Sequence, residues 1–230
     1  MKKSLIAAAV AGLALANTAQ AETTFEKGTF SLGLGFPSAV SDVTLINIGS
    51  QAAFSTGNFG FQIDAGMIGY TDFSALESFG TFGVHFHKNA ANGNKYGAFL
   101  ANTYLLNQIG VEAMVGLGAF DIEVSAGIFD EGPGPQNLYN VSANAFYAIN
   151  DSIEVNAGVE VFLYDGNSET IYEVGGTYKL PNSGVAVNAG YRGIDGESVI
   201  EAGVSWSFGP NQDMRMFSER GFDIFFGGLS

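Results

Sequence analysis

His85 and His87 are the only histidines in the chain, set in the segment Gly83-Val-His-Phe-His87. At i and i+2 of a strand two imidazoles share a face, about 7 Å apart along the backbone, and imidazole is a good metal ligand. A metal would also need a nearby carboxylate, and the segment around the pair offers none. The pair reads as lining of a wet interior, so no metal or other cofactor is assigned. Carboxylates are far more numerous: 23 Asp and Glu against 9 Lys and Arg, for a net charge of −14. Two acids can divide general acid and base work only where one pKa is raised by its surroundings. Nothing in their spacing marks such a pair, so no catalytic residue is assigned and the chain is read as non-enzymatic. Carboxylates ringed around a water-filled passage have another chemistry, which is to gather cations and repel anions. Whether these acids form such a ring depends on the elements that carry them.

The elements announce themselves by period two. Ile153, Val155, Ala157, Val159, Val161 and Leu163 fall on one face of a strand, with Glu154, Asn156, Gly158 and Glu160 on the other. Ile122-Glu-Val-Ser-Ala-Gly127 nearly repeats as Ile153-Glu-Val-Asn-Ala-Gly158 and as Val185-Ala-Val-Asn-Ala-Gly190, with Phe61-Gln-Ile-Asp-Ala-Gly66 a fourth copy. The last three in chain order are offset by about 31 residues, the length of two strands and two turns, so the repeating unit is a hairpin. Strands are predicted to begin near residues 28, 45, 59, 77, 95, 109, 120, 138, 152, 170, 183 and 198. That makes twelve, with ten or fourteen as alternatives. Tight turns follow the second, sixth, eighth and tenth strands. The connections after the first, third, seventh, ninth and eleventh read as mostly longer or acidic, with Asp42, Asp72, Glu77, Asp130, Glu131, Asp165, Glu169, Asp195 and Glu197 in or beside them. A long turn from Lys88 to Lys95 and a short one at Asn107-Gln108 break the alternation. No spacing among them matches a tight calcium loop.

Residues 1–21 read as a cleaved signal peptide. Lys2 and Lys3 precede an apolar run to Ala16, and Ala19-Gln-Ala21 has the small-x-small form of a cleavage site. Its removal takes away two lysines and no acid, leaving 209 residues with net charge −16. An acidic chain lacks the basic surface that nucleic acid requires. With no cysteine, neither disulfides nor thiolate metal sites are possible. Beyond Ala21 no apolar run is long enough for a membrane helix.

Which way the apolar face points follows from three features. Gly66, Gly83, Gly116, Gly127, Gly158, Gly175, Gly190 and Gly203 share the charged side near mid-strand, where they would ease curvature in a narrow lumen but only weaken a solvent-facing exterior. Tyr139, Tyr172 and Tyr191 lie towards one end of the apolar face, and Tyr96, Tyr147, Tyr178, Trp206 and Phe208 towards the other. Two such belts suit the two interfaces of a bilayer. Closure would also remove every free strand edge. The fold expected is all-β, an antiparallel up-and-down transmembrane β-barrel over residues 22–208.

In that architecture the chain resembles Gram-negative outer-membrane β-barrels, most of all the small porin-like proteins. Its most specific piece is Val204-Ser-Trp206-Ser-Phe208, similar to the terminal-strand signal that the barrel-assembly machinery reads. The resemblance implies residence in the cell outer membrane, among its lipids and lipopolysaccharide. It departs at one point, because 22 residues follow Phe208. Phe222-Asp-Ile-Phe-Phe226 is also aromatic but alternates poorly. Residues 209–230 are read as a C-terminal extension, either periplasmic or a partial plug. The lipid-degrading members of such barrels resemble one another in a His-x-Ser pair, and here His87 stands where the serine would be.

Parity turns Asp64, Glu112, Glu123, Glu154, Glu160, Glu173 and Glu201 inward as pore-lining residues, opposed by Lys179 and Arg192. Counting along the strands puts Asp64, Glu123 and Glu154 in the periplasmic half and the other four in the outer half. The function expected is passive, porin-like diffusion of small, mainly cationic or neutral solutes. The alternative is a closed structural or adhesion barrel acting through acidic extracellular loops. Nothing in the sequence assigns an oligomeric state.

Overall fold

The computed structural model describes residues 22–38, 43–72, 75–103, 106–130, 138–164, 166–194 and 197–218. Twelve strands form: β1 (Thr24–Pro37), β2 (Thr44–Thr56), β3 (Phe59–Asp72), β4 (Ala75–Asn89), β5 (Lys95–Thr103) and β6 (Leu106–Leu117). They continue as β7 (Phe120–Asp130), β8 (Tyr139–Ala148), β9 (Ile153–Tyr164), β10 (Asn167–Lys179), β11 (Val185–Ile194) and β12 (Glu197–Phe208). Every one begins within four residues of its predicted start. Each strand pairs antiparallel with its sequence neighbours, and β1 closes on β12 in register from Gly28↔Phe208 to Pro37↔Val199. The sheet is a closed barrel with no free edge.

Alternation decides what each face meets. Outside stand Phe30, Leu32, Leu34, Ile109, Val111, Val124, Val141, Val174, Ile200 and many more large apolar side chains, 37–62 % exposed. A contiguous apolar exterior of this size has no place in water and is the lipid-facing surface of a membrane barrel. Tyr139, Tyr172 and Tyr191 ring its outside towards one end, while Tyr96, Tyr147, Tyr178, Trp206 and Phe208 ring it towards the end that carries Thr24 and Phe208, here the terminal end. Tight turns close the terminal end at Gly57-Asn58, at Gly118-Ala119 and at Pro181 to Gly184, with Gly57, Gly118 and Gly184 at positive φ.

The opposite end departs in part from the expectation of mostly longer or acidic connections. Only two residues separate β3 from β4, β5 from β6, β9 from β10 and β11 from β12; longer stretches remain after β1 and β7 alone. Asp72, Glu77, Asp130, Glu169 and Glu197 belong to strands, while Asp42, Glu131, Asp165 and Asp195 lie outside the described residues. Polar residues look like loop to a hydropathy pattern, yet hairpin pairing continues past the apolar band, as in Thr71↔Leu76 and Ile194↔Glu197. Inside this end Phe129, Phe162 and Ile171 form an apolar cluster that Leu106 and Leu138 join.

Val174 sits at mid-strand on the lipid side, 53 % exposed. Val174→Arg is expected to cost about 2–4 kcal/mol, the penalty for a guanidinium near the bilayer midplane, while Val174→Leu is near neutral. Urea titration of the protein folded into lipid vesicles checks both.

Candidate functional site

The lumen has two unlike halves. Along β3 to β6 it is filled. His85, fully buried, lies between two carboxylates from different strands: its Nε2 is 2.8 Å from Asp64 Oδ2 and its Nδ1 2.9 Å from Glu112 Oε1. Each ring nitrogen thus faces a carboxylate oxygen, and each can serve it as an N–H donor when the ring carries both protons. Glu112 belongs to β6, and β5 lies between it and His85. Gly97, its register partner, keeps that space narrow, since a Cβ there would run into the Phe86 carbonyl and His87. Gln62 Nε2 donates to Asp64 Oδ1 at 2.8 Å, and Gln51 Nε2 reaches the same oxygen at 3.3 Å. Further round, Gln108 donates to Asn140 at 2.7 Å and Asn140 donates to Glu160 at 2.6 Å. A Ser125–Ser142 hydroxyl pair completes this wall at 2.7 Å.

Along β9 to β12 and on to β3 the lumen is open. Arg192 lies 3.4 Å from Glu173 Oε2 and 3.8 Å from Glu201 Oε1. Two cavities meet here and share Asn188 and Glu201. One, of about 110 Å³, is lined by Gly33, Asn47, Ile68 and Arg192 among others. The second, of about 220 Å³, reaches towards the terminal end past Asn156, Glu173, Thr177 and Glu154. Each has room for several waters, for which tens of Å³ suffice. Small residues make that room. Gly33 and Gly35 line the first cavity, and Gly175, Gly176 and Gly190 the second.

The chain after β12 enters the lumen. Gly209, at φ +110°, turns it inward, and Asn211 N–H donates to the Glu26 carbonyl at 3.0 Å. Lys27 Nζ then donates to the Met214 carbonyl at 2.9 Å and Lys95 Nζ to the Arg215 carbonyl at 2.6 Å. Arg215 Nε meets Asp121 at 2.9 Å, its terminal nitrogen pairs with Glu154, and its guanidinium lies 4.0 Å over the Phe146 ring. Burial works against that charge, but hydrogen bonds and attraction from Glu154 and Asp121 outweigh it, so the Arg215 pKa is raised. Phe217 is 1 % exposed and stacks on His85 with ring centroids 5.8 Å apart and planes 4° from parallel. Its N–H donates to Gln62 Oε1 at 2.9 Å, and its carbonyl accepts from Gln62 and Gln51 at 2.9 and 3.0 Å. Ser218 N–H and Oγ both reach Glu123 Oε2, at 3.1 and 3.0 Å.

The nine residues that parity turned inward fall into separate groups. Asp64 and Glu112 meet through His85, and Glu173, Arg192 and Glu201 form a second group. Glu154 joins Lys179 at 3.7 Å, while Glu160 and Glu123 stand apart with their own partners. The division into halves by counting fails for Asp64 and Glu112, because one imidazole spans both. Strands tilt by about 35–45° in such barrels, so position along a strand is not height in the lumen. The segment around the histidine pair offers no carboxylate of its own, and the two acids at His85 arrive instead from β3 and β6. Arg215 and Phe217 were missed as lumen residues. Their signal was the imbalance itself, seven inward acids against two inward cations. Val204, Trp206 and Phe208 stand on the outside of β12, 41, 52 and 40 % exposed.

No family model matches the chain, and no curated protein matches it. Solved structures do. The NanC porin is 12 % identical, with 77 % of this chain and 98 % of that one covered and a TM-score of 0.59. The KdgM porin is 11 % identical, with coverages of 78 % and 99 % and a TM-score of 0.58. A KdgM porin in complex with disordered oligogalacturonate matches with the same identity and coverages, at a TM-score of 0.57. The likeness is one of fold: this chain has the barrel of the small outer-membrane porins.

His85→Leu leaves Asp64 and Glu112 buried without the charge between them. A loss of about 3–5 kcal/mol is expected, the usual cost of breaking a buried pair from one side. Adding Asp64→Asn and Glu112→Gln to that variant should recover most of it. Urea midpoints in vesicles give both numbers.

Proposed function

We propose that the protein is a porin-like channel of the outer membrane, a passive path for small cationic or neutral solutes. The observation that carries this reading is the pair of neighbouring cavities from β8 round to β3, which share Asn188 and Glu201 in their walls. Three carboxylates, Glu154, Glu173 and Glu201, line them against the single guanidinium of Arg192. A cation entering such a passage exchanges water for carboxylate oxygen, whereas an anion meets repulsion from most of the wall. Oligogalacturonate, held by a KdgM porin, is a chain of carboxylates, and this lumen is poorly suited to one. Porins carry their termini on the periplasmic side, which puts the tail within reach of the periplasm and the Phe129 cluster towards the exterior.

Single-channel recording of the refolded mature protein across a salt gradient tests the reading. Steady conductance with a reversal potential on the cation side is expected. Glu173→Gln with Glu201→Gln leaves Arg192 opposed by Glu154 alone among the lining carboxylates. The cation-to-anion permeability ratio should then fall by about twofold or more. A silent bilayer from a barrel shown to be folded by heat-modifiable migration overturns the channel and favours a closed barrel acting through its exterior loops.

A further inference from the structure

We propose that residues 211–218 are a resident plug, a peptide of this chain bound in a site that the lumen is built to hold, whose release widens the passage. The proposal rests on the channel reading. Closure of the barrel is complete without the tail, since β1 and β12 pair from Gly28↔Phe208 onwards. Nevertheless the tail is gripped from eight strands: by Lys27, Gln51, Gln62, His85, Lys95, Asp121 and Glu123, Phe146, and Glu154.

The grip is specific to a peptide in one register. The Met214, Arg215 and Phe217 carbonyls each have their own side-chain donor, and the Gln62 amide takes both the N–H and the carbonyl of Phe217. A segment that merely rested on the rim would not bury a phenylalanine to 1 % exposure against an imidazole. The grip is also reversible in kind. Apart from the Phe217 ring, the bonds are polar and join groups that water would satisfy once the segment left, so their net worth is modest. Glu154 belongs to both structures, lining the larger cavity and holding Arg215. Release would therefore enlarge the passage and bare Glu154 and Asp121 to it, so conductance and cation preference should rise together.

Arg215→Ala with Phe217→Ala in the full chain tests this. Single-channel conductance is expected to rise about twofold or more, with a stronger cation preference than the wild type. Arg215→Ala alone keeps the buried ring and carries the same expectation, should the double variant fold poorly by heat-modifiable migration. The chain has no cysteine, so a lock can be added cleanly. Glu123→Cys and Ser218→Cys, placed in the double variant and joined by a short reducible thiol cross-linker, should restore wild-type conductance until reduction releases it. A conducting wild type matched in conductance and selectivity by every variant, locked or reduced, overturns the plug and leaves the channel standing. Silence from all of them, each folded, overturns the channel and the plug with it.

Discussion

The structure depends on what a lipid-facing strand does with its charges. Half of every strand meets hydrocarbon and must be apolar, so ionisable residues are driven to the inner face or beyond the bilayer. This chain is strongly acidic, and the inner face consequently receives more carboxylates than the strands supply cations. A buried carboxylate without a partner is costly. Each deep acid must find a positive group, a set of donors or water, and the interior is arranged by which of these it finds.

The three solutions occupy different parts of the lumen. Asp64 and Glu112 share one imidazole and are sealed from solvent. Asp121 and Glu154 take their cation from outside the barrel wall, in the returning tail. Glu173 and Glu201 flank Arg192 at longer range, 3.4 and 3.8 Å, beside open space. In the first two cases the acids hold structure together. In the third they border open space, which Glu154 also reaches from the second group.

Strand number, strand starts and the inward set were legible because period two is imposed residue by residue and a one-residue slip would put Glu154 or Glu173 into lipid. Loop length was less legible, since a strand that outruns the bilayer loses its apolar signal while keeping its hydrogen bonds, as Asp72 and Ala75 do. Groupings across strands were not legible at all. That Asp64, His85 and Glu112 meet depends on tilt and register, which no single segment encodes. The tail was harder still, because Arg215 and Phe217 have no period to reveal them. Only the surplus of inward acids pointed to a missing cation.

The same repeat builds both halves of the lumen, so the repeat does not decide which is open. Gly127 and Gly190 occupy equivalent places in Ile-Glu-Val-Ser-Ala-Gly and Val-Ala-Val-Asn-Ala-Gly. A side chain at Gly127 would collide with Asn140 and Gln108, whereas at Gly190 it would meet only backbone. The difference comes from the neighbours. His85, Phe99, Gln62 and Gln108 project large groups over the β3 to β7 wall, and Phe217 fills what they leave. On the β9 to β12 wall Gly175, Gly190, Asn156 and Asn188 stand between Glu173, Arg192 and Glu201, and the cavities lie beside them. A twelve-stranded barrel lies between those whose side chains fill the interior and those wide enough to stay open regardless. At that width, which side carries the large residues determines whether and where a passage remains.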